Sequence, residues 1–198
     1  GLLDRVEQSL IQAGLACRVF AGIHPNPRLF QVCEGVQTAL EFGADLILAV
    51  GGGSVIDAAK AIALGAAEPE ADLWDFWLGK RPVERTLPVG AVLTISAAGS
   101  ETSSSAVLTR DDTLEKRGLT SERIRPRFAV MDPELTCSLP PYQIACGVVD
   151  IMMHTLDRYF TCVTGNLLTD EIAQGLLRTV IRCGARALAD PCDLQAMS

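Results

Sequence analysis

Apolar positions recur along the first two thirds of the chain in two alternating periods. Leu3, Val6, Leu10 and Ile11 fall at helical spacing within residues 2–15, and Gly14 is placed to end that helix. Ala16–Phe20 reads as a short strand, and residues 27–42 as the next helix. Leu46–Val50 is an unbroken apolar run of the kind buried on both faces of a parallel sheet. A glycine turn follows, and Val55–Leu64 has helical character. Residues 66–87 read as a long irregular connection carrying both tryptophans. Further strands are expected at Val89–Ile95, Val107–Arg110 and Phe128–Met131, with the charged DDTLEKR segment as a turn. Beyond Pro140 only long helical patterns remain. The alternation predicts an α/β domain, a parallel sheet flanked by helices, over residues 1–138, followed by the start of an all-α domain over 139–198.

The stretch DLILAVGGGSVIDAAK organises this pattern. Gly51, Gly52 and Gly53 lack a Cβ, so backbone N–H groups there can close on a bulky anion. Ser54 occupies what reads as the N-cap of the following helix, whose free amides and dipole favour phosphate. A pyrophosphate-binding turn is the expectation, and a tight strand-to-helix turn needing glycine for its angles is the alternative. A second small-residue segment, SAAGSETSSSAV, offers hydroxyl donors without bulk from Ser96, Ser100, Thr102 and Ser103, preceded by Thr94; a solvated Ser-rich loop has the same composition.

Charge and cysteine usage narrow the class. A net charge of −7 without a Lys/Arg cluster argues against nucleic acid. Seven cysteines without a CxxC pair fit neither a disulfide framework nor a structural zinc site. No run approaches the roughly 18 apolar residues of a membrane span, and the chain reads as a cytoplasmic protein without membrane contact. His24, in GIHPNPR, reads as a solvated loop histidine. Asp150 and His154 are four apart and share one helix face, where they can form a hydrogen-bonded pair or hold one divalent ion.

The stretches LAVGGGSVIDAAKAIA, LTISAAGSETSSSAVLT, RPRFAVMDPELTCSLPPYQIACGVVDIMMHTLDRYFT and LLTDEIAQGLLRTVI, in this order, resemble the iron-containing (group III) alcohol dehydrogenase family, in particular its NADP-preferring butanol dehydrogenase and aldehyde reductase branch. The resemblance implies a dinucleotide-binding domain, a helical domain, and an active site in the cleft between them. It places Gly52, Gly53 and Ser54 at the pyrophosphate, with Val55 and Asp57 nearby. Thr94 and Ser96 would touch the nucleotide, Ser103 would lie on the nicotinamide side, and Lys116 would reach ribose or phosphate. Asp150 and His154 match the first two metal ligands. The implied activity is hydride transfer between NADP(H), with NAD(H) as the alternative, and a primary alcohol or aldehyde, assisted by Fe²⁺ or Zn²⁺ in a homo-oligomer such as a dimer. The family supplies two more histidine ligands from later helices, but no His follows His154; it also opens with a strand and glycine turn that are not matched before Gly1. The chain is therefore expected to be a segment of a longer protein, inactive alone. A non-catalytic nucleotide-binding module and a relative such as a glycerol dehydrogenase or dehydroquinate synthase are the competing readings.

Overall fold

In the computed structural model, which describes residues 1–162 and 165–198, the chain forms two compact units. The first comprises Gly1–Leu93 and Ser100–Val130. Its centre is a three-stranded parallel sheet in the order β1 (Ile47–Gly51), β2 (Val89–Leu93), β5 (Phe128–Val130). In register, Ala49 faces Ala91 and Ala91 faces Ala129, so a row of methyl groups crosses the sheet and lets a helix approach closely. That helix is α3 (Gly53–Ala67), whose Ile56, Ala59 and Ala63 pack on the row.

The other side of α3 meets α2 (Leu29–Phe42), α4 (Leu73–Trp77) and β3 (Ser105–Thr109) in a second cluster around Val32, Leu64, Trp74 and Leu108. Every residue from Ala58 to Gly65 is buried. α3 is thus apolar all round because it is enclosed all round. Gly35 and Gly65 make the enclosure fit: a Cβ at Gly35 would lie 2.4 Å from Ile62, and one at Gly65 would lie 2.5 Å from Val36. The preceding α1 (Leu2–Gln12) buries none of its residues and ends with Gly14 at φ +77, as its placement in the sequence suggests.

Four local expectations differ from the structure. Ala16–Phe20 has strand composition, but no strand is assigned there, since an extended segment without a paired neighbour forms no ladder. The DDTLEKR segment is a turn at Asp111–Thr113, but its last two residues, Lys116 and Arg117, open β4 (Lys116–Thr120), which pairs antiparallel with β3 in a two-stranded ribbon. Four of the five β4 residues are exposed, so no inward-outward alternation marks it in the sequence. The connection 66–87 contains α4, with Asp72 capping it through its carboxylate on the Trp74 amide, and both tryptophans are buried. Ser54 is not the N-cap of α3: Gly52 is, and Ser54 lies inside the first turn.

The second unit comprises Thr94–Gly99 and Met131–Ser198. A 3₁₀ turn at Pro133–Thr136 leads into α5 (Pro141–Tyr159), α6 (Leu167–Ala189) and the short α7 (Leu194–Met197). α5 and α6 pack together closely at Gly184, where a Cβ would lie 2.7 Å from Val148. Apolar side chains including Tyr142, Val149, Met153, Leu168 and Ile172 remain exposed on these helices. Among the described residues no helix is long and apolar enough to cross a membrane.

Candidate nucleotide and metal sites

The candidate phosphate turn sits where β1 delivers the chain into α3. Gly51 is required by packing, because a Cβ there would lie 2.7 Å from Val55, whose side chain is folded back over the strand end. Gly53 is required by neither packing nor angle, and Gly52 is not required by angle. Gly52 has φ −88 and ψ −170, extended backbone open to any residue, and Gly53 is helical with only Ser100 Cβ, at 3.9 Å, near its missing Cβ. A tight turn needing glycine for its angles does not account for them. The first-turn amides of Gly53 and Ser54 have no intrahelical acceptor and stand at the positive end of α3, where a helix favours an anion.

The loop containing His24 crosses this turn. Asn26, in the left-handed region at φ 56, donates its amide to Ser54 Oγ at 3.2 Å and accepts from Lys116 Nζ at 2.7 Å. Lys116, exposed at the start of β4, is thereby tethered beside Ser54. His24 itself packs edge-on against Phe30. Asn26 was not legible as part of this group; its only sequence signal is its place between two prolines.

Asp57 turns inward. Its Oδ1 accepts from Ser100 Oγ at 2.5 Å and its Oδ2 from the Val107 amide at 2.9 Å. Burial raises its pKa above the ordinary carboxylate value, opposed by those bonds and by Lys60 and Lys116. Beside it lies Lys60, with no exposed surface. Its ammonium donates to Ser100 O at 2.7 Å, Ser100 Oγ at 3.0 Å and Ser105 O at 2.7 Å, and stands 4.0 Å from Asp57 Oδ1. Burial lowers its pKa to about 8, against the raising effect of Asp57 and Glu101. Ser103 lies between these anchor points, its amide donating to Ser100 O and its hydroxyl accepting from the Ser105 amide. The structure thus gathers Gly52, Gly53, Ser54, Val55, Asp57, Ser103 and Lys116 around one end of α3 within the first unit.

Thr94, half-buried, and Ser96, exposed, belong to the second unit together with the Asp150–His154 pair on α5. The Ser96 carbonyl rests against Gly147, one turn before Asp150. Asp150 Oδ1 and His154 Nε2 are 3.8 Å apart, both side chains roughly half exposed. Two donors at that distance can both reach one ion at bond lengths of about 2.0–2.2 Å, so the pair fits a shared metal. Among the described residues no group of three or more His, Cys, Asp or Glu side chains converges on such a point. Asp150 also borders an apolar groove on α5 lined by Tyr142, Cys146, Val149 and Met153.

Residues 1–133 match the family model described as iron-containing alcohol dehydrogenase. The chain is 39% identical over 196 residues to the NADH-dependent butanol dehydrogenase A of Clostridium acetobutylicum, covering 99% of this chain and 50% of that protein. It is 40% identical over 193 residues to the NADPH-dependent aldehyde reductase YqhD of Escherichia coli, covering 96% of this chain and 49% of that one. Among solved structures, a NADH-dependent butanol dehydrogenase A from Thermotoga maritima superposes with a TM-score of 0.95 at 39% identity, over 100% of this chain and 49% of its own. The chain spans about half the length of these curated relatives.

Proposed function

The chain belongs to the iron-containing alcohol dehydrogenase family, and from that premise we propose that it forms the nucleotide-binding part and the first metal-holding helices of an oxidoreductase. The reaction is reversible hydride transfer between a nicotinamide dinucleotide and a primary alcohol or aldehyde. Residues 1–138 serve the dinucleotide and residues 139–198 the metal. The observation that carries this reading is the β1–α3 turn: Gly52 and Gly53 have backbone angles open to any residue, yet both lack a side chain where the first-turn amides have no intrahelical acceptor.

In this reading Gly53 and Ser54 donate backbone N–H groups to the pyrophosphate, and Gly52 leaves room for its approach. Val55 closes the strand end beneath the turn, and Asp57 shapes the wall beside it. Lys116 adds a cation on the ribose or phosphate side, and Thr94, Ser96 and Ser103 supply hydroxyl contacts. Asp150 and His154 hold Fe²⁺ or Zn²⁺. When bound, the nicotinamide would supply the hydride chemistry, and the ion held by Asp150 and His154 would supply Lewis-acid polarisation of a substrate oxygen. Everything else asked of this chain is binding and orientation. The branch resemblance favours NADP(H); the named relatives include users of NADH and of NADPH, so both cofactors belong in the test. A homo-oligomer, such as a dimer in the cytoplasm, completes the proposal.

The test is titration of the chain with NADH and NADPH by fluorescence, alone and with Zn²⁺ or Fe²⁺. Saturable binding lost on Gly53→Leu supports the reading, and no binding of either nucleotide sinks it.

A further inference from the structure

Lys60 is the most deeply buried charge described in the chain, and nothing in the proposed chemistry uses it. A lysine without solvent contact is costly unless each of its donors is satisfied. Here all three are, and all three go to one stretch of chain: Ser100 O, Ser100 Oγ and Ser105 O. Asp57, one turn earlier, holds the same stretch at Ser100 Oγ and at the Val107 amide. Gly53, Asp57 and Lys60 are spaced i, i+4 and i+7, so they form one face of α3. Along that face the 100–107 segment is pinned at four atoms of Ser100, Ser105 and Val107. Arg125 reaches the segment from another element, donating to the Thr102 carbonyl while its guanidinium is held by Glu122.

The pinning has a direction. At the first anchor point Ser100 Cβ is the nearest group to the open face of Gly53, 3.9 Å from where a Cβ would lie. Between the first and second anchor points Ser103 is fixed by bonds to Ser100 O and from the Ser105 amide. Ala106 is buried in the core and residues 105–107 pair with β4, whereas the Ser100–Ser104 stretch is polar and contributes nothing to the apolar clusters; the ammonium and the carboxylate fix how that stretch crosses α3.

We propose that Lys60 and Asp57 are positioning residues of the nucleotide site, a buried clamp on α3 that holds the 100–107 segment so that Ser100 walls the phosphate turn and Ser103 faces the cofactor. The proposal rests on the nucleotide-binding reading above. It gives Asp57 an inward role in place of direct cofactor contact, and it makes Lys60 part of the site although it touches no ligand.

The experiment compares the wild-type chain with Lys60→Met, which removes the ammonium without leaving a charge, and Ser100→Ala, which removes only the hydroxyl shared by both clamp residues. Three quantities are read: amide hydrogen exchange of residues 100–107, affinity for NADPH and NADH, and affinity for AMP, which has neither pyrophosphate nor nicotinamide. Both variants should exchange faster in 100–107 and bind the dinucleotides about tenfold more weakly, with AMP affinity and cooperative unfolding kept. Faster exchange with unchanged dinucleotide affinity in either variant overturns the proposal and leaves a structural lysine. Equal losses for AMP and dinucleotide also overturn it, as they report general loosening. If Lys60→Met does not fold, Ser100→Ala decides by the same criteria. Failure of the wild-type chain to bind any nucleotide removes the functional reading itself, a result distinct from either variant outcome.

Discussion

Gly147 lies directly beneath the carbonyl of Ser96: a Cβ on it would stand 2.4 Å from that oxygen. The obstacle is backbone, not the flexible end of a side chain, so it cannot step aside cheaply. The helix carrying Asp150 and His154 can therefore approach the Thr94–Gly99 segment only because position 147 is bare. Gly147→Ala is expected to cost about 1–3 kcal/mol by overpacking, despite the better helix propensity of alanine. Chemical denaturation checks this, and an unchanged midpoint would count against the observed packing.

Gly53 offers the opposite case. It sits in the first turn of α3, and its missing Cβ has only a 3.9 Å neighbour. Gly53→Ala should be neutral or stabilise by about 0.4–1 kcal/mol through the unfolded chain, while Gly53→Leu should fold and lose NAD(P)H affinity. Thermal unfolding and fluorescence titration separate the two effects. Full affinity in the leucine variant would remove the pyrophosphate from this turn.

Lys116 tests the outer edge of the same site. Its recorded hydrogen bond is to Asn26 Oδ1, and it is exposed. Lys116→Ala should therefore alter stability by less than about 0.5 kcal/mol. If the lysine meets phosphate, nucleotide affinity should fall and lose part of its salt dependence. Equal affinity at low and high ionic strength in both proteins would return Lys116 to an ordinary surface charge.

The sequence was most legible where one period ruled a whole element. Ile47–Gly51, which overlaps the apolar run Leu46–Val50, and Val89–Leu93 are strands written as apolar runs, and the parallel sheet followed from them, although only the second is buried throughout. It was least legible where a partner, not the segment itself, decides the state. Ala16–Phe20 has strand composition without a paired strand, and Lys116–Thr120 forms a strand through its pairing with Ser105–Thr109 while showing mostly exposed residues. Ser54 looked like a cap because Ser follows the glycines, yet the cap is Gly52, two residues earlier. The site showed the same division. The glycine turn and the Asp150–His154 spacing are local patterns, whereas the bond from Lys60 to Ser100 spans forty positions. One signal for Lys60 was present: a lone lysine within AAKAIALGAA, a helix apolar on every face, has nowhere to reach solvent and must be paired inside.

Lys60 also sets a pH dependence. Burial lowers its pKa to about 8 in the folded chain, from an ordinary value of 10.5, with Asp57 and Glu101 opposing and Arg125 assisting. Between those values the unfolded chain binds the extra proton, so stability rises with pH. The contribution is fully present above 10.5 and lost as pH falls through about 8. Other groups titrate in this range, and comparison with Lys60→Met isolates the effect: wild type should gain stability on the variant between pH 7.5 and 10, on the order of the window set by the shift. Nucleotide affinity should move the other way, because a neutral amine has two N–H groups for three oxygens. Parallel changes in stability and affinity would contradict the clamp.

The metal gives the last prediction. Asp150 and His154 sit on successive turns of α5, 3.8 Å apart, with half their surface in solvent. A catalytic ion normally takes three protein ligands and keeps one position open, and among the described residues no third donor converges with this pair. Two exposed donors should hold Zn²⁺ or Fe²⁺ weakly and exchange it readily, since water completes the shell. Asp150→Ala and His154→Ala should each abolish this binding, and neither should change nucleotide affinity, because the donors proposed for the pyrophosphate are backbone amides at the start of α3. Isothermal titration with Zn²⁺, repeated with NADPH present, measures both. Metal affinity that survives either substitution would place the ion elsewhere, and a joint loss of metal and nucleotide binding would show that the pair supports the fold and is not a ligand set.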